Sequence, residues 1–244
     1  MSQAGTLFIV STPIGDPRDI TLRAIDVLRT CDLIACEEPK PARALLRRLE
    51  IDKPLHFLNE HTTGTAETDI ITELEAGKNI ALISDCGTPL LADPGDALVS
   101  ECIARQIPVV SVPGASSVLA ALVVSGFSLR QFSFIGFLPR EKDRRATAVR
   151  ELRTRTETLV LLEAPYRLQQ VLSDLAHGLP VERRACVALD LTLAGERILR
   201  GTIGEICDYF AAHPFKGEFV IVIEGAHPAR RDAKVTSHHP RRRN

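Results

Sequence analysis

The sequence predicts an α/β protein in two domains, an N-terminal parallel-sheet domain and a C-terminal mixed-sheet α/β domain. Three observations predict it. From residue 6 to about 125, short and nearly continuous apolar runs alternate with segments whose apolar residues recur at helical spacing. A stretch at 140–155 that carries seven Lys/Arg then breaks the pattern. Beyond it, apolar runs follow one another with less helix between them, as in a mixed or antiparallel sheet.

The elements follow in chain order. Residues 6–10 (Thr6-Leu7-Phe8-Ile9-Val10) form a buried strand that a Pro/Gly turn ends. Asp19 or Thr21 caps the next segment, where Leu22, Ile25 and Leu28 share one helix face. Further strands are expected at 32–36, 55–58, 79–84, 107–112 and 132–136, with helices at 41–50, 66–76, 94–105 and 116–125. The charged stretch 140–155 reads as a solvated helix between the domains. After it come a strand at 158–162, a helix at 166–176, and strands at 185–191, 197–202 and 219–224. The chain therefore divides into 1–125, 126–226 and a basic tail at 227–244.

Composition narrows the function. Apolar residues make up 45% and charged residues 25% of 244, which is ordinary for a globular chain with a sizeable core. No run of about 18 uncharged apolar residues appears, so no membrane span is expected. No basic and then apolar leader opens the chain. The six cysteines lie mostly among apolar neighbours and read as reduced, buried thiols in a cytoplasm. The net charge of −1 hides an asymmetry, because the tail is basic and the body is correspondingly acidic. Any RNA contact is then expected from local patches rather than from the whole surface. The tail lacks apolar periodicity and reads as a disordered, solvated segment.

In open α/β sheets, ligands bind outside the carboxyl ends of the strands. Three such ends carry turn chemistry: Thr12-Pro13-Ile14-Gly15-Asp16, Ser84-Asp85-Cys86-Gly87-Thr88-Pro89 and Pro113-Gly114-Ala115-Ser116-Ser117. Gly87 and Gly114 let backbone approach a ligand closely. Asp85 can accept from an ammonium or a hydroxyl, and Ser116 and Ser117 stand where a helix start leaves N–H groups free. The dinucleotide Gly fingerprint, the phosphate-binding loop and the serine-nucleophile elbow are all absent from the sequence. Cysteine and histidine spacing supports no metal site.

These turns, taken with Asp19-Ile20-Thr21-Leu22-Arg23-Ala24, Asp32-Leu33-Ile34-Ala35-Cys36-Glu37, Asp93-Pro94-Gly95, Gly136-Phe137-Leu138-Pro139, Arg200-Gly201-Thr202 and Lys216-Gly217-Glu218, resemble the ribosomal RNA small subunit methyltransferase I family. The ordered set covers about residues 6–225. The resemblance implies a tetrapyrrole-methylase-like fold with a cofactor cleft between two α/β domains. It implies S-adenosylmethionine (SAM) as cofactor, a cytidine ribose 2′-oxygen of small-subunit RNA as acceptor, no metal, and a homodimer. On this reading Pro13, Asp85, Gly87, Thr88, Ser116, Ser117, Leu162 and Leu189 hold the cofactor. Glu38, Lys40, Glu163 and Arg167 line the acceptor site as catalytic residues. Arg43 and Arg47, four apart on one helix face, contact phosphates.

The chain departs from the family pattern on the substrate side. Glu37-Glu38-Pro39-Lys40 stands where the family reads Glu-Asp-Thr-Arg, and Leu162-Glu163-Ala164-Pro165-Tyr166-Arg167 where it reads Tyr-Glu-Ser-(Pro/Thr)-His-Arg. Ala188-Leu189-Asp190-Leu191-Thr192-Leu193 lacks two cations that the family places there, and a His-Asn pair is reduced to His61-Thr62. Leu162, Leu189 and Leu193 then leave two other acceptor readings open. One is a flat small molecule such as a corrinoid or tetrapyrrole; the other is a SAM-binding protein without catalysis.

Overall fold

The computed structural model describes residues 4–58 and 64–226. The expected His61-Thr62 position and the basic tail lie outside them. The first sheet contains β1 (Leu7–Val10), β2 (Leu33–Cys36), β3 (Leu55–Phe57), β4 (Ile80–Ile83) and β5 (Val109–Val112). Their order is β3-β2-β4-β1-β5, and every pairing is parallel. Helices α1 (Leu22–Thr30) and α2 (Pro39–Arg48) follow β1 and β2, and their apolar residues fill one face of the sheet with Val10, Ile34, Ala81 and Val112. Helices α3 (Thr65–Glu75) and α4 (Asp96–Ala104) fill the other, where Ile70, Leu74 and Leu98 meet Leu7, Ile80 and Leu82. Both faces are covered, which is why these strands read as continuous apolar runs. Thr21, rather than Asp19, caps α1 by accepting from the Ala24 N–H at 3.0 Å.

Helix α5 (Ser117–Ser125) follows β5 but packs on the second sheet. Its Val118, Ala121 and Leu122 lie against Val160, Cys186, Ala188, Val220 and Val222. It ends at Gly126, whose φ of 81° closes the helix in the left-handed region.

The second sheet contains β6 (Phe132–Gly136), β7 (Thr158–Leu162), β8 (Arg184–Leu189), β9 (Arg197–Thr202) and β10 (Phe219–Ile223). Their order is β6-β7-β10-β8-β9. The β6–β7 pairing is parallel and the others are antiparallel, so the sheet is mixed. Its outer face carries α6 (Lys142–Glu151), α7 (Leu168–Gly178) and α8 (Ile203–Ala212).

Helix α8 is missing from the sequence expectation, although a capping box marks it. Thr202 accepts from the Glu205 N–H at 3.2 Å, and Glu205 accepts from the Thr202 N–H at 2.8 Å. Strand β8 stops at Leu189 rather than running to 191, because Asp190 and Thr192 turn the chain with φ of 46° and 65°. The charged stretch is helical as expected, yet Arg145 turns inward. It is 6% exposed and pairs with Asp174 at 2.6 Å. Cys31, Cys36, Cys102 and Cys186 are buried, whereas Cys86 is exposed. No helix among the described residues is long and apolar enough to cross a membrane.

Arg183 clamps one end of the inner strands β7, β10 and β8 of the second sheet. Its guanidinium donates to the carbonyls of Glu224 (2.7 Å), Leu152 (2.8 Å) and Arg155 (3.0 Å). It is 8% exposed, so water replaces these bonds poorly. Arg183→Met keeps most of the stem and removes these bonds together with a longer one to the Arg153 carbonyl at 3.3 Å. The expected cost is about 2 kcal/mol in urea unfolding. An unchanged midpoint would mean that the clamp contributes nothing net.

Candidate functional site

The carboxyl ends of β4, β1 and β5 lie side by side, because these strands are neighbours in the sheet. Their turns are knitted together. Thr12 donates its hydroxyl to the Ser84 carbonyl at 3.0 Å and its N–H to the Gly87 carbonyl at 2.8 Å. Thr88 donates its hydroxyl to the Ala115 carbonyl at 3.0 Å and lies 3.1 Å from the Ser11 hydroxyl. Gly87 has a φ of 90°, a conformation that L side chains resist. A Cβ on Gly114 would stand 2.9 Å from Ser11 Cβ, so the third turn can approach the first only as glycine.

Loops of the second sheet close over these turns. A Cβ on Gly15 would meet the Leu191 carbonyl oxygen and Thr192 Oγ1, each at 2.6 Å. The Asp16 N–H donates to Thr192 Oγ1 at 2.8 Å. Between the two sheets lies a cavity. Thr88, Asp93, Ser116 and Ser117 line it from the N-terminal side, and Leu162, Glu163, Asp190, Leu193 and Glu218 from the C-terminal side.

The cavity wall is acidic. Asp93, Glu163, Asp190 and Glu218 line it, with no Lys or Arg among the described residues of its lining. Burial pushes the Asp93 carboxyl above the ordinary carboxylate range, against a Ser84 hydroxyl that pulls it back. Burial likewise raises Glu218, and the neighbouring Asp190 charge adds to it. The Cys86 thiol is pushed up to about 11, first by desolvation and then by Glu218, Asp93 and Asp85. Such a wall repels phosphate and favours a cation.

Glu163 and Arg167 are brought together by the turn between β7 and α7. Arg167 Nη1 stands 3.3 Å from Glu163 Oε1, and the Ala164 N–H donates to the same oxygen at 2.9 Å. Thr88, Ser116, Ser117 and Leu162 reach the cavity as the cofactor reading expects. Pro13, Asp85 and Gly87 belong to its turns but not to its wall. Asp85 instead accepts from the Glu38 N–H at 3.3 Å, tying the end of β4 to the start of α2. Burial raises the Asp85 carboxyl, and that N–H partly offsets it.

Leu189 is corrected. Strand residues alternate between faces, so Ala188 reaches the cavity while Leu189 is fully buried in the outer core with Leu159, Leu161 and Ile221. Glu38 and Lys40 are also absent from the cavity wall. Lys40 lies with Arg43 and Arg47 in a separate groove on the first sheet, completed by Lys53 and Phe57. Ala42 and Leu46 face the core, which turns Arg43 and Arg47 outward. Sequence reasoning overlooked Asp93, Asp190 and Glu218. Their signal was position: Asp93-Pro94-Gly95 is a turn sequence directly before α4, Gly217-Glu218 directly precedes β10, and Asp190 directly follows β8.

The pattern of the tetrapyrrole (corrin/porphyrin) methylases matches residues 6–207. A protein of Xylella fastidiosa named ribosomal RNA small subunit methyltransferase I is 42% identical over 228 residues, covering 93% of this chain and 84% of its own. One of the same name from Bacillus subtilis is 40% identical over 225 residues, covering 92% and 77%. The crystal structure of a uroporphyrin-III C-methyltransferase from Thermus thermophilus, complexed with S-adenosylhomocysteine, superposes with a TM-score of 0.65 at 17% identity. It covers 90% of this chain and 97% of that one, and the likeness carries the fold alone. Identity near 40% sustained over nine-tenths of the sequence carries more: the chain belongs to the ribosomal RNA small subunit methyltransferase I family of the tetrapyrrole methylases.

Proposed function

We propose that this protein is a SAM-dependent methyltransferase acting on small-subunit ribosomal RNA, with a cytidine ribose 2′-hydroxyl as acceptor. The observation that carries the reading is the acidic cavity at the strand ends, with four carboxylates and no Lys or Arg among the described residues that line it. SAM bears a sulfonium and an ammonium against one carboxylate, so its net charge suits this wall. Bound there, SAM supplies an electrophilic methyl group. Thr88, Ser116 and Ser117 offer hydroxyls from one side, and Leu162, Ala188 and Val220 offer apolar surface from the other. Glu163 and Arg167 stand on the acceptor side. Lys40, Arg43 and Arg47 hold the RNA backbone in their groove, away from the acidic cavity. The family resemblance extends the reading to a homodimer, which light scattering checks by a mass twice that of the monomer.

The test is transfer of labelled methyl from SAM to small subunits purified from a strain lacking the gene, followed by nucleoside mapping. Label on a cytidine ribose is the expected result. Leu193 and Phe137 add apolar surface to the cavity, which favours a flat small molecule as the second reading. Unlabelled subunits, with SAM bound in the same preparation, would favour that acceptor.

The cavity also implies a pH dependence. Asp93 and Glu218 have raised pKa values in the free protein, and a bound cation favours their ionised forms. SAM affinity is therefore full above those raised values and is lost as pH falls through them. Calorimetry is expected to show SAM binding weaken roughly tenfold as pH falls from neutral through the raised carboxylate range. S-adenosylhomocysteine lacks the sulfonium charge and is expected to weaken less. Equal slopes for the two ligands would remove the carboxylates from sulfonium recognition.

A further inference from the structure

Among the described residues, one buried side-chain polar atom has no hydrogen-bond partner: Glu163 Oε2. Orphaned buried acceptors are rare, and each costs free energy in the unliganded protein. Glu163 is one of the residues that line the cavity. Its side chain is 2% exposed, so solvent does not serve it. The other oxygen of the same carboxylate is held twice, by the Ala164 N–H at 2.9 Å and by Arg167 at 3.3 Å. The carboxylate is thus anchored through Oε1, while Oε2 keeps its lone pairs for something the free protein lacks. Its place directly after β7 puts it on a strand end rather than on a loose loop.

We propose that Glu163 Oε2 is the proton acceptor of the methyl transfer. The proposal rests on the reading that this chain methylates a ribose hydroxyl. In the step, the hydroxyl oxygen bonds to the methyl carbon as the carbon–sulfur bond breaks, and that bond's electron pair goes to sulfur, which becomes a neutral thioether. The hydroxyl proton goes to Glu163 Oε2 and passes to solvent after the products leave. Arg167 is a positioning residue, since it holds Oε1 and thereby aims Oε2.

Glu163→Gln tests this. The amide keeps an oxygen for Ala164 and Arg167 and replaces Oε2 by a group that cannot take a proton. The expected kcat falls roughly 10²–10⁴-fold. Because Glu163 is one of the four wall carboxylates, SAM affinity is expected to fall by no more than about tenfold, far less than the rate, and the KM for small subunits to stay within about twofold. Asp93, Asp190, Glu218 and Cys86 line the same cavity, with Arg167 alongside, so the telling readout is a difference between pH–rate profiles. An acid limb present in the wild type and absent from Glu163→Gln supports the assignment. Glu163→Asp, which keeps a carboxylate one methylene shorter, is expected to recover part of the rate. Overturning results are a Glu163→Gln rate near wild type, or a loss of SAM affinity as large as the loss of rate, which would make Oε2 a cofactor anchor. Wild-type protein assayed in parallel separates the two levels. Active wild type with equally active Glu163→Gln sinks only the proton-acceptor role; wild type that transfers no methyl to ribosomal RNA sinks both.

Discussion

Replacing Arg43 and Arg47 together by glutamate is expected to reduce methyl transfer to small ribosomal subunits at least a hundredfold at moderate salt, on the order expected for reversing two phosphate contacts. The physical reason lies in α2. Ala42 and Leu46 are buried, so the helix has no freedom to turn its basic face inward. Lys40, Arg43 and Arg47 are exposed there, and none is in an ion pair among the described residues. Lys53 joins the groove with its ammonium tied to the Cys31 carbonyl at 2.6 Å and Asp52 next to it in the lining. The exposed cations of the groove are therefore those of α2. Neither arginine lines the acidic cavity, so SAM affinity is expected to stay within about twofold. Both effects are measured on the same preparation, by filter assay and by calorimetry. The milder pair Arg43→Ala and Arg47→Ala is expected to lower the salt slope of RNA binding by between one and two. Unchanged turnover in the glutamate variant would take α2 out of the RNA path.

Gly15→Val is expected to damage both the fold and the cofactor site. Gly15 is where the first-sheet turn meets the second-sheet loop. An added Cβ would lie 2.6 Å from the Leu191 carbonyl oxygen, 2.6 Å from Thr192 Oγ1 and 2.9 Å from Leu193 Cγ. Two of these three neighbours are polar atoms whose positions are set by the turn. Thr192 holds a φ of 65°, and its hydroxyl is engaged by the Asp16 N–H. The loop must therefore move rather than a side chain swing aside. The stability cost expected from overpacking is about 2–3 kcal/mol in urea unfolding. Ile14, Leu191 and Leu193 line the cavity on either side of this contact, so SAM affinity is expected to fall at least tenfold, on the order of 1.4 kcal/mol. Native-like stability with unchanged SAM binding would show that the two loops are not the joint that shapes the cavity.

Much of the fold was legible because local pattern and tertiary role agree. Continuous apolar runs such as Ile80–Ile83 are buried on both faces, so burial and sequence carry the same signal. Turn residues marked the strand ends that form the N-terminal wall: Thr88, Ser116 and Ser117 reach the cavity where the turns were expected to serve a ligand. Where local and tertiary demands part, the sequence was harder to read. Helix α8 begins with a capping box but contains Gly204 and follows a strand with only Thr202 between them in the apolar pattern. Leu189 looked like a cleft residue, yet a one-residue step along a strand reverses the face, and only the pairing of β8 with β10 settles which face is which.

Apolar runs and strand ends already specify an α/β chain, and the ordered turns resemble this family, which implies SAM as cofactor, because those features are written in contiguous residues. The grouping of Asp93, Glu163, Asp190 and Glu218 around one cavity is different in kind. These residues come from the loop before α4 and from three strand ends of the second sheet, and nothing in their spacing along the chain encodes their approach. The same holds for Lys40, which the sequence set beside Glu163 as a catalytic partner and the fold places with Arg43 and Arg47 in a separate groove. Charge and distance in three dimensions depend on how the two sheets meet at Gly15 and Thr192, a contact between residues 177 positions apart that takes shape only when both sheets have folded.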